Sequence, residues 1–374
     1  MKVLMLGNGF DLYHKLFTQY NDFMVISEYC AKKYLSILYE KNNRRCIYEE
    51  LRNLAESNQS IREKLLFYKD GYINTLIDED QYREFISIIK RNCWFEHFLK
   101  NRSLGGWVDL ETQITDIIKN IRNKDTGCLG SFMSAIKEKG DHSNNEFRYI
   151  GAYLISDGEY DDFLFEEYCK FVKSLKLFLS IFVDALLPNI ANKYESKNDL
   201  FLNSDWIISF NYTDTYKQLY DDNAKITHIH GKLDKEIIVG INSDKYDNPG
   251  ESDFRFIQYK KYYQRITKQT LDGLNRLLLR IELEENSSVF RGRKLCVIGH
   301  SLDTMDEDII TVIFEWFDQV EIYYHNAEAL EVYTKNLSII FGAKELSKMT
   351  FAQKIIFKKL PDNEYVKEHT NDQL

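Results

Sequence analysis

The chain has 374 residues and a net charge of -9, with 58 acidic groups against 49 basic ones. That balance excludes a protein built mainly to hold duplex nucleic acid, since the surplus of carboxylates repels phosphates. A hydrophobic content of 44%, with 14% of residues aromatic, excludes global disorder and suits one large domain or two.

Val3-Leu4-Met5-Leu6 is an apolar run without a charge and reads as a strand buried on both faces. It stops at Gly7-Asn8-Gly9, and a helix is expected from Phe10 to about Phe23. A strand that turns on glycines into a helix leaves backbone N–H groups free at the positive end of the helix dipole, where a phosphate can sit. The same turn also serves as a bare strand-to-helix connection. Residues 24–100 read as amphipathic helices over 25–40, 47–56, 60–67 and 81–99, with apolar residues recurring at three and four. Trp107-Val108-Asp109-Leu110-Glu111 opens the next helix, which runs to about 121, and 123–147 reads as a polar connection. The longest helix is expected over 161–187. Its greasiest part is interrupted by Lys176 and Asp184 and is too short to cross a bilayer. The six cysteines are scattered, with no CxxC pair. Together with an N-terminus unlike a secretory signal, this predicts a soluble cytoplasmic protein with free thiols and no membrane association.

From residue 205 the pattern changes to short apolar runs: 206–210, 225–230, 236–241, 294–299, 319–324 and 354–357, with a helical pair over 254–284. Strands alternating with helices predict a parallel, doubly wound sheet. The expected fold is therefore α/β, a Rossmann-like domain made from 1–25 plus 200–360. A large helical insertion occupies 26–199, and 361–374 forms a polar tail.

Ligands bind beyond the carboxyl ends of such strands. The residues there are Gly7, Asn8, Gly9, Phe10 and Asp11; Asn211, Tyr212, Thr213 and Asp214; His230 and Gly231; and Gly299, His300, Ser301, Leu302 and Asp303, with Asp306 just beyond. Each has a structural alternative. Asn211 or Thr213 can cap a helix, His230 can be a turn residue, and Ser301 or Asp303 can cap the helix that begins near Met305. His228 and His230 share a strand face at a spacing that suits a metal, yet nothing completes a ligand set, so no metal is expected. Asp109 and Glu111 read either as a carboxylate pair or as first-turn acids facing the helix dipole. The stretch Tyr259-Lys260-Lys261-Tyr262-Tyr263-Gln264-Arg265 reads either as a base-stacking surface or as an amphipathic helix whose long side chains lie over the core. Nucleic acid is not an expected partner.

Gly7-Asn8-Gly9-Phe10-Asp11-Leu12, followed by Thr18, Tyr20, Asp22 and Phe23, resembles the opening of AbiH-type bacteriophage abortive-infection proteins. Trp107-Val108-Asp109-Leu110-Glu111, Ser209-Phe210-Asn211-Tyr212-Thr213, His228-Ile229-His230-Gly231 and Gly299-His300-Ser301-Leu302-Asp303 extend the resemblance in family order to about residue 310. That family is in turn similar to the sirtuin-like Rossmann superfamily, which includes NAD-hydrolysing defence proteins. The resemblance implies an antiphage effector that binds NAD and hydrolyses its nicotinamide–ribose bond when triggered, with NAD as substrate and no cofactor required. It implies Gly7, Asn8, Gly9, Phe10 and Asp11 in the first nucleotide-binding loop, with Gly7 and Gly9 by the pyrophosphate. It places Asn211 on the ribose or a water and His230, before Gly231, as the base. Gly299, Ser301, Leu302 and Asp303 would line the adenosine side. The zinc ribbon of protein deacylases is absent from the sequence. Two other functions stay open: a nucleotide-binding sensor without hydrolysis, and a metal-dependent nuclease using Asp109 and Glu111. A phage-derived trigger and a homo-oligomer are the further partners expected, with the helical insertion as their contact region.

Overall fold

The computed structural model describes residues 1–37, 45–101, 110–122, 157–191, 199–242, 254–285 and 292–363. Along the chain these form β1 (Lys2–Leu6), α1 (Asn8–Tyr13), α2 (Tyr20–Ile37), α3 (Ile47–Ser57), α4 (Gln59–Phe67), α5 (Lys69–Asn74), α6 (Glu79–Arg91), α7 (Cys93–Lys100), α8 (Leu110–Arg122) and α9 (Asp157–Phe182). The short α10 (Leu187–Ala191), β2 (Trp206–Ser209), α11 (Thr215–Leu219) and β3 (Ile226–His228) follow. Then come α12 (Lys261–Thr267), α13 (Asp272–Glu285), β4 (Lys294–Ile298), α14 (Glu307–Glu315), β5 (Gln319–Tyr324), α15 (Ala327–Phe341), α16 (Ala343–Phe351) and β6 (Ile355–Lys359).

Two compact units result. One comprises Met1–Leu16, Ile190–Ile238 and Lys261–Leu374; the other comprises Phe17–Asn189 and Val239–Lys260. The crossover into the helical unit thus falls at Leu16, nine residues earlier than the expected boundary at 25, and 239–260 belongs to the helical unit.

The first unit is built on a six-stranded, all-parallel sheet of order β3-β2-β1-β4-β5-β6. The mixed α/β, Rossmann-like class expected from the strand and helix alternation is the one observed. Its strands are apolar on both faces because helices cover both. Val3, Met5, Ile208, Leu295, Val297, Val320 and Ile322 pack on one face, while Leu4, Leu6, Ile207, Cys296 and Ile298 pack on the other. The chain builds β1, β2 and β3 outward in one direction, then returns to place β4 on the free side of β1. Connections diverge at that point, which opens the ligand crevice of doubly wound folds. The carboxyl ends are level there: Leu6 pairs with Ser209 and with Ile298, and Ser209 pairs with His228.

Several local expectations change. The opening helix stops at Tyr13, where the His14 ring bonds the Phe10 carbonyl at 2.7 Å and Lys15 takes φ 58°. A new helix begins at Tyr20, with the Asp22 carboxylate accepting from the Gln19 N–H at 3.2 Å. The 81–99 helix divides at Asn92, whose side chain caps Phe95 N at 2.9 Å. The expected strand at 236–241 makes only isolated bridges, Gly231 to Ile237 and Ile241 to Lys260. Its apolar residues Ile237, Ile238, Val239 and Ile241 are buried without joining the sheet, so an apolar run alone did not specify a strand.

In the helical unit, Phe23 meets Phe95, Phe171 and Phe178 at ring distances of 5.9, 5.8 and 5.3 Å. Asp22 pairs with Lys64 at 2.6 Å, and Glu50 is held by Lys33, Arg45 and Tyr82. No helix among the described residues is long and apolar enough to cross a membrane. Cys30, Cys46, Cys93 and Cys296 are buried free thiols. Cys128, Asp109, all of the 123–147 connection and the end of the polar tail lie outside the described residues.

Candidate functional site

The turn after β1 is filled by protein. Gly7 N donates to Ile298 O at 3.0 Å, Gly9 N to Gly299 O at 2.7 Å, and Phe10 N to Gly7 O at 2.8 Å. Of these N–H groups, expected to be free for a phosphate, Gly7 and Gly9 are spent on the end of β4 and its loop and Phe10 on the turn itself. The glycines serve that close approach. A Cβ on Gly7 would stand 2.5 Å from His300 Cα, and one on Gly9 2.6 Å from Gly299 Cα. Gly299 has φ +67°, and a Cβ there would stand 2.2 Å from Phe10 N. Gly299→Ala is therefore expected to cost more than the ~1–2 kcal/mol of left-handed backbone alone, read as a lowered thermal midpoint of the purified protein.

Beyond this junction the strand-end residues gather in two clusters. The first holds Asp11, Asn211, Thr213, Thr215 and His228. The Asp11 side chain, 1% exposed, accepts from Thr213 Oγ1 through Oδ2 at 2.6 Å, and Thr213 in turn accepts from Thr215 at 3.0 Å. Among the described residues Oδ1 has no hydrogen-bond partner. Burial pushes the Asp11 carboxyl up to about 6, against the stabilising pull of Thr213, Thr215, Asn211 and His228. Thr215 and the Asn211 amide thus stand near enough to favour the ionised form without making a well-formed bond to Oδ1. Both ring nitrogens of His228 face acceptors at 3.0 Å, the Asn211 carbonyl at Nδ1 and Asp214 Oδ1 at Nε2. The Asp214 carboxyl is held below its usual range by that bond.

The second cluster is centred on Asp306. Its Oδ1 receives His230 Nε2 at 2.9 Å and Lys261 Nζ at 3.1 Å, with Arg265 Nη1 at 3.5 Å and His300 Nε2 3.9 Å from Oδ2. Arg265 also pairs with Asp308. Burial alone would raise the Asp306 carboxyl, but Lys261, His230 and His300 outweigh it and hold it well below the carboxylate range. Burial lowers His230, with Asp306 pulling the other way, and lowers His300 to about 4. His230 is therefore neutral at pH 7. Facing an ionised carboxylate, its proton sits on Nε2, which leaves Nδ1 as the acceptor. The edge of Phe210, at the end of β2, meets the rings of His230 and His300 at 5.2 and 4.2 Å.

The other sequence candidates have structural places. Phe10 is buried among Phe201, Tyr216 and Tyr220. Gly231 takes φ +76° in a turn where a Cβ would stand 1.9 Å from Glu236 O. Leu302, expected on the adenosine side, is fully buried in the core with φ 53°. Asp303 caps Met305 N at 2.9 Å. Ser301 is exposed and its carbonyl accepts from Asn336 at 3.0 Å. Asn8 is exposed at the start of α1. The sequence places His300 at a strand end without assigning it a role, and reads Lys261 and Arg265 only as part of a base-stacking surface or of a helix lying over the core. Lys261 and Arg265, four apart on α12, are 2% and 1% exposed, so the basic groups of this stretch point inward rather than to a surface. Their i, i+4 spacing was the available signal, but nothing in it says which face is buried.

A model of the family described as bacteriophage abortive infection AbiH matches residues 3–325, which takes in both clusters. The chain belongs to the AbiH family. Its role is accordingly in the abortive infection of bacteriophage. No curated protein and no solved structure matches the chain. Within this AbiH chain, no group of three or more His, Cys, Asp or Glu side chains placed to hold a metal occurs among the described residues.

Proposed function

We propose that this AbiH chain acts as the effector of abortive infection by hydrolysing NAD at the nicotinamide–ribose bond. The observation that carries the reading is the His230–Asp306 pair at the carboxyl edge of the parallel sheet. A neutral imidazole locked with Nε2–H on a carboxylate offers Nδ1 as a base of defined orientation. Nicotinamide is already cationic in NAD, so cleavage asks for a steadied ribose and a water more than for a strong acid. In this reading His230 accepts a bond from a ribose hydroxyl, and Asn211 addresses the same ribose from the end of β2. The order of the strand-end motifs, similar to that of the sirtuin-like superfamily, supports the dinucleotide as substrate. Gly7 N and Gly9 N are already bonded to Ile298 O and Gly299 O, so in this reading the pyrophosphate draws its donors from other groups at the sheet edge.

A second reading is favoured by the burial of both clusters, with His230 6% and Asp306 6% exposed. A site this closed suits a sensor that changes conformation on binding and leaves the toxic step elsewhere. The two part on one comparison. In cells infected by a restricted phage, the hydrolase reading expects NAD to fall and nicotinamide to rise with the parent, and a loss of both with His230→Ala. Undiminished protection by His230→Ala would refute catalysis at this site and favour the sensor.

A further inference from the structure

We propose that Asp11 is the general base for the attacking water, which is seated in the small cavity at the carboxyl ends of β1, β2 and β3. This rests on the NAD-cleavage reading and adds to it the second proton acceptor, since His230 is assigned to the ribose. The cavity is lined by Asp11, Ser209, Asn211, Thr213, Thr215 and His228 over an apolar floor that includes Leu6, Phe10 and Ile207. Its room is that of about one water molecule. A water there needs polar partners, and the wall supplies hydroxyls, an amide and a buried carboxylate oxygen, Asp11 Oδ1, that no group among the described residues satisfies.

The carboxyl cannot simply turn to satisfy that oxygen. Oδ2 is held by Thr213, which Thr215 fixes from behind, so Oδ1 keeps its aim. An orphaned buried acceptor costs stability, and its retention beside a water-sized space is what a base awaiting its proton donor looks like. Among the groups packed around it, His228 on β3 favours the ionised form, while burial opposes it. The balance leaves the carboxylate both present and basic at neutral pH, which suits general-base work.

The step balances without any further reactant. The water oxygen forms a bond to ribose C1′, and the C1′–N bond breaks, with its electron pair leaving on nicotinamide. One water proton passes to Asp11 Oδ1 and then to solvent. The products are ADP-ribose, nicotinamide and a proton.

The test uses the full chain with Asp11→Asn, which keeps the side-chain shape and the oxygen facing Thr213. Two measurements are made: NAD loss in cells infected by a restricted phage, and calorimetric titration of the purified protein with NAD. The expected result is binding like the parent's, with cleavage slower by about 10²–10⁴-fold. A purely structural role would not separate the two. Cleavage by Asp11→Asn at the parental rate overturns this inference and leaves the NAD reading intact. Loss of binding together with cleavage makes Asp11 a substrate contact rather than the base, and also overturns it. A parent that protects while NAD stays constant removes the NAD reading and this inference with it.

Discussion

Asp306→Ala is expected to destabilise the protein by about 3–5 kcal/mol at pH 7, enough to threaten the fold of the sheet unit. Asp306 is the only acidic side chain facing His230, Lys261 and His300 within 4.0 Å among the described residues, and it shares Arg265 with Asp308. Lys261 and Arg265 are 2% and 1% exposed, so removing the carboxylate takes a counter-charge from cations that water cannot reach. Among the described residues, two of the Arg265 nitrogens, Nε and Nη1, already lack hydrogen bonds, which deepens the loss. The measurement is the midpoint of urea unfolding, followed by circular dichroism. Asp318→Ala is the companion variant. Its partner Arg293 lies at the surface, 2.9 Å away, and an exposed pair of this kind contributes at most about 1 kcal/mol. The pH dependence follows from the depressed folded pKa. An acid held well below 3.8 contributes stability above that pH and loses it as pH falls through the folded value. The gap between parent and Asp306→Ala should accordingly narrow in strong acid. Equal midpoints for Asp306→Ala and Asp318→Ala at neutral pH would refute the assignment of this cluster as the electrostatic anchor of the sheet edge.

Asp11→Asn should do the opposite and stabilise the protein. A carboxyl titrating at about 6 instead of 3.8 binds its proton more tightly in the folded than in the unfolded chain. Stability from this group is therefore greatest below 3.8 and declines as pH rises to about 6; above that the penalty is constant, at up to about 3 kcal/mol. Asparagine removes the titration. Its advantage over the parent should be near zero at pH 4, grow through pH 6 and level off beyond it. For a unit of this size the plateau corresponds to a rise of roughly 6–12 °C in thermal midpoint. His14 and His300, each lowered to about 4 by burial, make both proteins lose stability as pH falls from 6.5 toward 4. The difference between the two proteins cancels that common slope. A stabilised variant that no longer cleaves NAD would show a residue kept for chemistry at a cost to the fold. A variant less stable than the parent at pH 8 would mean that Asp11 is structural.

Much of the architecture was legible because its signals are local. Leu4 and Leu6 facing one way and Val3 and Met5 the other is what covering both faces of a sheet demands, and an uncharged run shows it directly. The alternation of strands with helices then left few topologies to consider, and parallel pairing sent every strand-end motif to the same edge. Errors arose where local pattern was ambiguous. The 236–241 run is as apolar as a strand but bridges singly, and the Gln81–Leu99 periodicity concealed a break that only the Asn92 cap discloses. Glycines were the subtler case. Gly7-Asn8-Gly9 reads as space for a phosphate and Gly299 as part of the adenosine side, whereas in the fold one loop crosses the other, with Gly9 N bonded to Gly299 O at 2.7 Å. Glycine records that something comes close to the backbone, and does not say whether that is ligand or protein.

The sequence by itself determined a Rossmann-like parallel sheet, an insertion of helices, membership of an abortive-infection family and the strand ends at which chemistry must be sought. These follow from periodicity and motif order, which are properties of neighbours along the chain. Only the tertiary structure decided that Asp11 joins Thr213 and Thr215, and that His230 joins Asp306, Lys261 and Arg265. Those partners lie between 31 and 204 residues apart along the chain, and their protonation is governed by burial and by charges that only folding brings within a few ångströms. A carboxylate at residue 11 and another at residue 306 look alike in sequence. At the first, burial outweighs the pull of Thr213, Thr215, Asn211 and His228; at the second, Lys261, His230 and His300 outweigh burial.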